Sequence, residues 1–166
     1  MTTSLNMIIP HVPPSENKIR VHRRQGGQVY SKEARDYVTL FSQFVRENYF
    51  TEINRFVAEH AETSVYRLQM TFFFPTLINE GWAKNKAKTL YKKFDVGNRR
   101  KLIEDCLVGV LGEIDDSLFF ELVLIKEMSQ THEGVHICLI RQNPQEYGVP
   151  HVTRDQQDRT HRNSAQ

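Results

Sequence analysis

The sequence is poor in the features that define several large protein classes. Only two cysteines stand in 166 residues. Both, Cys106 and Cys138, sit inside apolar patterns, which argues against a disulfide framework and for small buried side chains in a reducing compartment. No Cys/His spacing resembles a zinc site. No apolar run reaches the length of a membrane span. Met1 to Asn6 lacks the charged stretch followed by an apolar one that marks a secretory signal. A strong excess of one charge is missing too: 22 Lys and Arg stand against 20 Asp and Glu, a net +2. Net charge alone is therefore weak evidence for nucleic acid, and the distribution of charge says more than the sum. No internal repeat or domain boundary is visible. What is present, 39% hydrophobic and 25% charged residues, is the composition of a soluble globular chain long enough for one domain with a sizeable core.

Along the chain, Leu5 to Ile9 reads as a first strand, ended by Pro13-Pro14, which cannot donate to a ladder. Asn17, Lys18, Arg20, His22, Arg23 and Arg24 follow, then Gly26-Gly27. This run is either a solvated loop or hairpin, or an arm that contacts phosphates and displaces counterions from DNA. Ser31 is an N-cap with Glu33 in the first turn. Ala34, Tyr37, Val38, Phe41, Phe44 and Val45 then mark a helical face through about Asn48, and a shorter helical piece covers Ile53 to His60. Ser64 to Pro75 is the clearest strand. Its Phe72-Phe73-Phe74 triplet reads as a buried strand end in preference to a base-stacking platform. Thr76 to Lys93 has no clear period and carries Lys84, Lys86, Lys88, Lys92 and Lys93 around Trp82 and Tyr91, with room for a short helix over Ala83 to Leu90. It is a DNA-facing loop or a solubilising face. Leu118 to Met128 is a strand that puts Lys126 on an otherwise apolar side, where it needs a partner. Val135 to Ile140 returns as its hairpin partner. Beyond residue 142 the chain is a polar tail with the composition of disorder.

The stretch from Phe94 to Lys126 organises the rest. Leu102, Ile103, Cys106, Leu107, Val110 and Leu111 follow the period of a helix packed on a core, and Gly112 stands where such a helix stops. Asn98, Lys101 and Asp105 share its other side. Asp95 precedes the helix, while Asp115 and Asp116 follow it. Each residue alone has a plain structural explanation: an N-cap, a turn, a solvated face. As a set, carboxylates, an amide and lysines suit a divalent metal beside a phosphate. Helix length alone keeps Asp95 from Asp116, so the chain after the helix must fold back along it, or a partner strand must carry Asp95 across.

This segment resembles the active-site region of the RusA-type Holliday-junction resolvases, a family of phage and bacterial endodeoxyribonucleases. Their pattern reads Asp-x-Asp-Asn-x-x-Lys, a helix, Asp-Asp, and a strand ending in Lys. Asp95, Asn98, Lys101, Asp115, Asp116 and Lys126 fall on it. Gly97 departs from it, standing where the family usually has a second metal-binding Asp. The segments P-P-S-E-N-K and V-Y-S-K-E-A-R-D-Y also resemble the family's opening, and the likeness runs from about Ile8 to Ile140. It implies an α+β fold in two layers, a small mixed or antiparallel sheet with helices on one face in the order β-α-β-α-β-β. The nuclease domain would span 1–142, with the tail at 143–166.

The implied activity is Mg²⁺-dependent cleavage of four-way junctions by a homodimer in the bacterial cytosol, phage- or prophage-encoded or not, with Mn²⁺ as a substitute and no membrane partner. Asp95, Lys101 and Asp116 are the expected catalytic residues. Asp95, Asp116, Asp115 and Asp105 are the expected metal ligands, with Asp105 or Glu104 compensating for Gly97. Asn98 and Lys126 orient them. Asn17, Lys18, Arg20, Arg23, Arg24, Lys84, Lys86, Lys88, Lys92 and Lys93 contact DNA. The rival expectations are a junction-binding protein of the same fold that has lost cleavage through Gly97, and an adaptor for a protein partner in which the acidic cluster is only structural.

Overall fold

The computed structural model describes residues 3–15, 18–22, 28–61, 63–79 and 89–150. Its elements are β1 (Ser4–Ile9), β2 (Arg20–His22), β3 (Gln28–Tyr30), α1 (Lys32–Ala58), β4 (Val65–Phe74), α2 (Gly97–Leu111), β5 (Phe119–Met128) and β6 (Gly134–Gln142). The main sheet has four strands in the order β1-β6-β4-β5, and β2 and β3 form a separate two-stranded ribbon. The content is mixed α+β, consistent with the expected two layers. The ribbon takes up the hairpin reading of the basic run and adds two strands to the expected order.

Alternation sets the layers. Leu5, Met7 and Ile9 of β1, Leu68, Met70, Phe72 and Phe74 of β4, and Val135, Ile137 and Leu139 of β6 are all buried, and their neighbours in sequence are mostly more open. They share one core with Ala34, Tyr37, Phe41, Val45, Ile53 and Phe56 of α1 and Leu102, Ile103, Cys106, Leu107 and Leu111 of α2. Truncating a ring as enclosed as Phe72 to alanine costs roughly 3–5 kcal/mol. Burial also pushes the Cys106 thiol up to about 12, which keeps it protonated and inert.

Two expectations are corrected. The helix after Ser31 does not break near Asn48. It runs for 27 residues, capped by Ser31, whose hydroxyl accepts from Ala34 N–H. No Gly or Pro interrupts residues 46–56, and Tyr49 bridges the gap in the apolar stripe: it is half-buried and its hydroxyl accepts from Ile8 N–H at 3.0 Å. The second correction concerns β5 and β6, which are not hairpin partners. β4 lies between them, parallel to β5 and antiparallel to β6. The five-residue link crosses the end of β4, where Ser129 N–H donates to Phe74 O at 2.9 Å and the His132 ring packs on Phe73 at 4.5 Å. β4 is the most apolar strand, so it takes the central place that satisfies both of its edges. Of the aromatic triplet, Phe72 and Phe74 are buried as expected, and Phe73 lies half-buried on the other face.

The stretch expected as a tail from 143 opens with a 3-10 turn, Pro144–Tyr147, whose Tyr147 hydroxyl donates to Glu121 at 3.1 Å. Residues 151–166 lie outside the described residues. The expected helix over 83–90 lies almost wholly outside them as well. The base of that loop is a short bridge, Ile78 with Tyr91, in which Lys92 N–H donates to Leu77 O at 2.8 Å.

Candidate active site

α2 carries the site on the side away from its apolar stripe. Asp95 stands just before it, and its carboxylate accepts from Asn98 twice: from the backbone N–H at 3.2 Å and from the side-chain amide at 2.7 Å. Asp95 therefore satisfies a free donor of the first turn, although Val96 is the formal N-cap. The approach to Asp95 is fixed by Phe94. Its ring stacks on Phe74 at 4.2 Å and 3°, and its carbonyl accepts from Lys126 Nζ at 3.2 Å. Lys126 pairs across from Phe72 at the far end of β5. The partner this lysine needs is thus the carbonyl next to Asp95.

At the other end, Gly112 takes φ 66°, a left-handed conformation that glycine adopts without a Cβ clash, and ends α2. Ile114 is buried and pins the return. The two acidic residues then part. Asp115 Oδ1 accepts from Ser117 N–H at 2.9 Å and caps a 3-10 turn, and that backbone hydrogen bond draws its carboxyl below the usual range. Asp116 turns back along α2 and accepts from Lys101 Nζ at 2.7 Å. Lys101 also pairs with Asp105 Oδ1 at 3.1 Å. The hydrogen bond to Asp116, with help from Asp105, pushes the Lys101 ammonium up to about 12.

Two contributors to this cluster escape a reading of the sequence. Tyr30, at the end of β3, donates to Asp105 Oδ2 at 2.5 Å, and burial together with that bond raises its hydroxyl to about 12. Arg100 joins Arg20, Gln28, Lys101 and Asp105 around a cleft of about 420 Å³. Arg20, an expected DNA contact, is thereby brought to Lys101. The cleft is basic on both walls, one from the ribbon and one from α2.

The family model described as Endodeoxyribonuclease RusA matches residues 10–140. The chain belongs to the RusA endodeoxyribonuclease family. Membership implies Holliday-junction endodeoxyribonuclease activity. No curated protein matches the chain.

Within this RusA chain the remaining expected residues fall as follows. Lys18 lines a different groove, with Pro13, Asp36 and Arg99. Lys93 is exposed and Lys92 half-buried at the base of the loop before Asp95. Asn17, Arg23, Arg24, Lys84, Lys86 and Lys88 lie outside the described residues. Glu104 is buried at 5% exposure and sits 3.5 Å from Arg100, and burial raises its carboxyl. At Gly97, a side chain would begin 3.2 Å from Asp95 Oδ1, so the missing family aspartate would have faced Asp95.

Among the described residues no three Asp, Glu, His or Cys groups already surround one point as a metal site. The donor chemistry nevertheless fits a hard divalent cation. Asp95 is exposed, Asp116 is 40% exposed, and both offer carboxylate oxygens. Mg²⁺ takes one or two such groups and fills its shell with water and phosphate. Among the described residues no helix is long and apolar enough to cross a membrane.

Proposed function

We propose that the chain is a Mg²⁺-dependent, structure-specific endodeoxyribonuclease that resolves four-way junctions by paired phosphodiester cleavage as a homodimer, with Mn²⁺ as a substitute metal. The observation that carries this reading is the Lys101 ammonium, held by Asp116 and Asp105 on the wall of a cleft that also bears Arg20 and Arg100.

Asp95 and Asp116 would hold the cation. Asp105, whose two oxygens take Tyr30 and Lys101, and Asp115, whose Oδ1 caps the turn at Ser117, are further candidates. A cation bound there neutralises charge on a phosphate and makes a bound water more acidic. The chain's own side chains supply the rest. Lys101 stays cationic at neutral pH and donates to a phosphate oxygen as negative charge grows on it. Arg20 and Arg100 grip backbone phosphates with little base readout. Asn98 and Lys126 fix the Asp95 segment, through its carboxylate and the Phe94 carbonyl. A two-fold dimer would present two such sites to the two-fold symmetric junction.

The test is a labelled four-way junction incubated with wild type or Asp116→Asn, in Mg²⁺, Mn²⁺ or EDTA. Symmetric nicks are expected with wild type in metal, and none in EDTA or with the variant. A band shift without nicks in either metal would sink the nuclease reading in favour of junction binding alone, the rival that Gly97 motivates. Neither shift nor nicks would leave the adaptor.

A further inference from the structure

We propose that Tyr30 is a positioning residue for Lys101, acting through Asp105. The proposal rests on the nuclease reading, because it concerns the lysine assigned to the phosphate. Lysine is a flexible point charge, and holding it in one direction costs rotamer entropy. Asp116 restrains the ammonium from one side and Asp105 from the other. An aspartate with one free oxygen can swing away from such a contact. Here Asp105 cannot swing freely, since its second oxygen accepts from the Tyr30 hydroxyl at 2.5 Å.

Tyr30 is itself well anchored. It pairs with Arg20 in the ribbon, its carbonyl accepts from Arg35 at 2.6 Å, and the next residue, Ser31, donates its N–H to Ile19 O at 2.7 Å. A hydroxyl on a fixed strand therefore sets the carboxylate, and the carboxylate sets the ammonium. The same ribbon places Arg20 in the cleft. One small element thus carries both a backbone grip and the group that aims the lysine, which ties DNA seating to the reacting centre. A purely structural tyrosine would only seal a half-buried contact and would leave the reaction rate alone once folding was intact.

The experiment is a double-mutant cycle on a four-way junction in Mg²⁺, with Tyr30→Phe, Asp105→Asn and the double variant. It reads single-turnover cleavage, junction Kd and melting temperature. Tyr30→Phe is expected to slow cleavage on the order of 10- to 100-fold, the usual effect of removing a group that orients a reacting side chain. Kd should stay within about threefold, because no phosphate contact is lost. The double variant should be no slower than Asp105→Asn alone. Cleavage by Tyr30→Phe at the wild-type rate, or losses that multiply in the double variant, would overturn the proposal. Should Tyr30→Phe not fold, Asp105→Asn decides alone: a wild-type rate there is fatal.

A second readout needs no cleavage. The ¹⁵N-labelled ammonium of Lys101 should exchange its protons slowly in the wild type and faster in Tyr30→Phe. A changed ammonium in a protein that never cuts would sink the nuclease reading and spare the positioning. A cutting protein whose ammonium and rate both ignore Tyr30→Phe would do the reverse.

Discussion

Asp116 Oδ2 lies 2.7 Å from Lys101 Nζ, although fifteen residues separate them in the chain. The contact exists because α2 ends at Gly112 and the segment through the buried Ile114 doubles back beside the helix. Asp95 is held nearer the start of that helix by Asn98. One carboxylate proposed for the cation is thus tied to Asn98 and the other to Lys101, about one turn further along the same helix.

Lys101→Met should abolish junction cleavage by a factor on the order of 100 or more, as removal of a group that stabilises transition-state charge does. Junction Kd should rise only a few-fold, since other cations line the cleft. Stability should fall by about 1 kcal/mol or less, because Lys101 and Asp116 are 38% and 40% exposed and solvent screens the pair. Single-turnover kinetics beside a denaturant melt check both halves. A variant that unfolds or fails to bind would show that Lys101 is a structural ion-pair partner instead.

Alkaline stability follows from the two raised groups. Lys101 and Tyr30 both titrate near 12 in the folded protein, above their ordinary values of 10.5 and 10.0. Their contribution is complete below those ordinary values and is lost as pH climbs through the folded ones. From pH 7 to 9 these groups contribute no slope to the melting temperature. Between 10 and 12 stability should drop, and less steeply in Tyr30→Phe. Thermal melts across that range test it, and a Tyr30→Phe curve that follows wild type throughout contradicts the assignment.

Gly97→Asp should restore the aspartate of the family pattern beside Asp95, with its Cβ 3.2 Å from Asp95 Oδ1. The added carboxylate should tighten divalent binding. A tenfold gain in affinity at saturating Mg²⁺ is worth roughly 1.4 kcal/mol, or about 3–6 °C of extra melting-temperature rise in a chain of this size. Metal-induced shifts of equal size in variant and wild type would place position 97 outside any cation site.

Arg20→Ala should weaken junction binding across unrelated arm sequences alike and reduce the slope of log K against log salt by about 1. Gel shifts from low to moderate salt provide the measurement. An unchanged slope would remove Arg20 from the backbone grip.

The sequence made most of the elements legible and was weaker on how they meet. The apolar period located α2 and its stop at Gly112, and alternation located β4. The break expected between Asn48 and Ile53 does not occur, because the stripe continues through Tyr49, half-buried with its hydroxyl on the backbone of β1. Adjacency suggested that β5 pairs with β6, but pairing is decided by which strand most needs two neighbours, and β4 does. At the site, Asp115 and Asp116 look alike in sequence and serve a cap and a lysine respectively. Tyr30 is 75 residues from Asp105, and no local pattern announces a contact made by the packing of a ribbon on a helix.

The pairing of β1 with β6 joins Ser4 to Ile140, almost the whole length of the chain. A ribosome must complete the last strand before the first finds its strand partner, so until then the backbone of β1 has only α1 beside it. A stop codon ahead of residue 134 would strand β1 as well as delete β6, and leave β4 with one open edge. Loss at one terminus would be felt at the other.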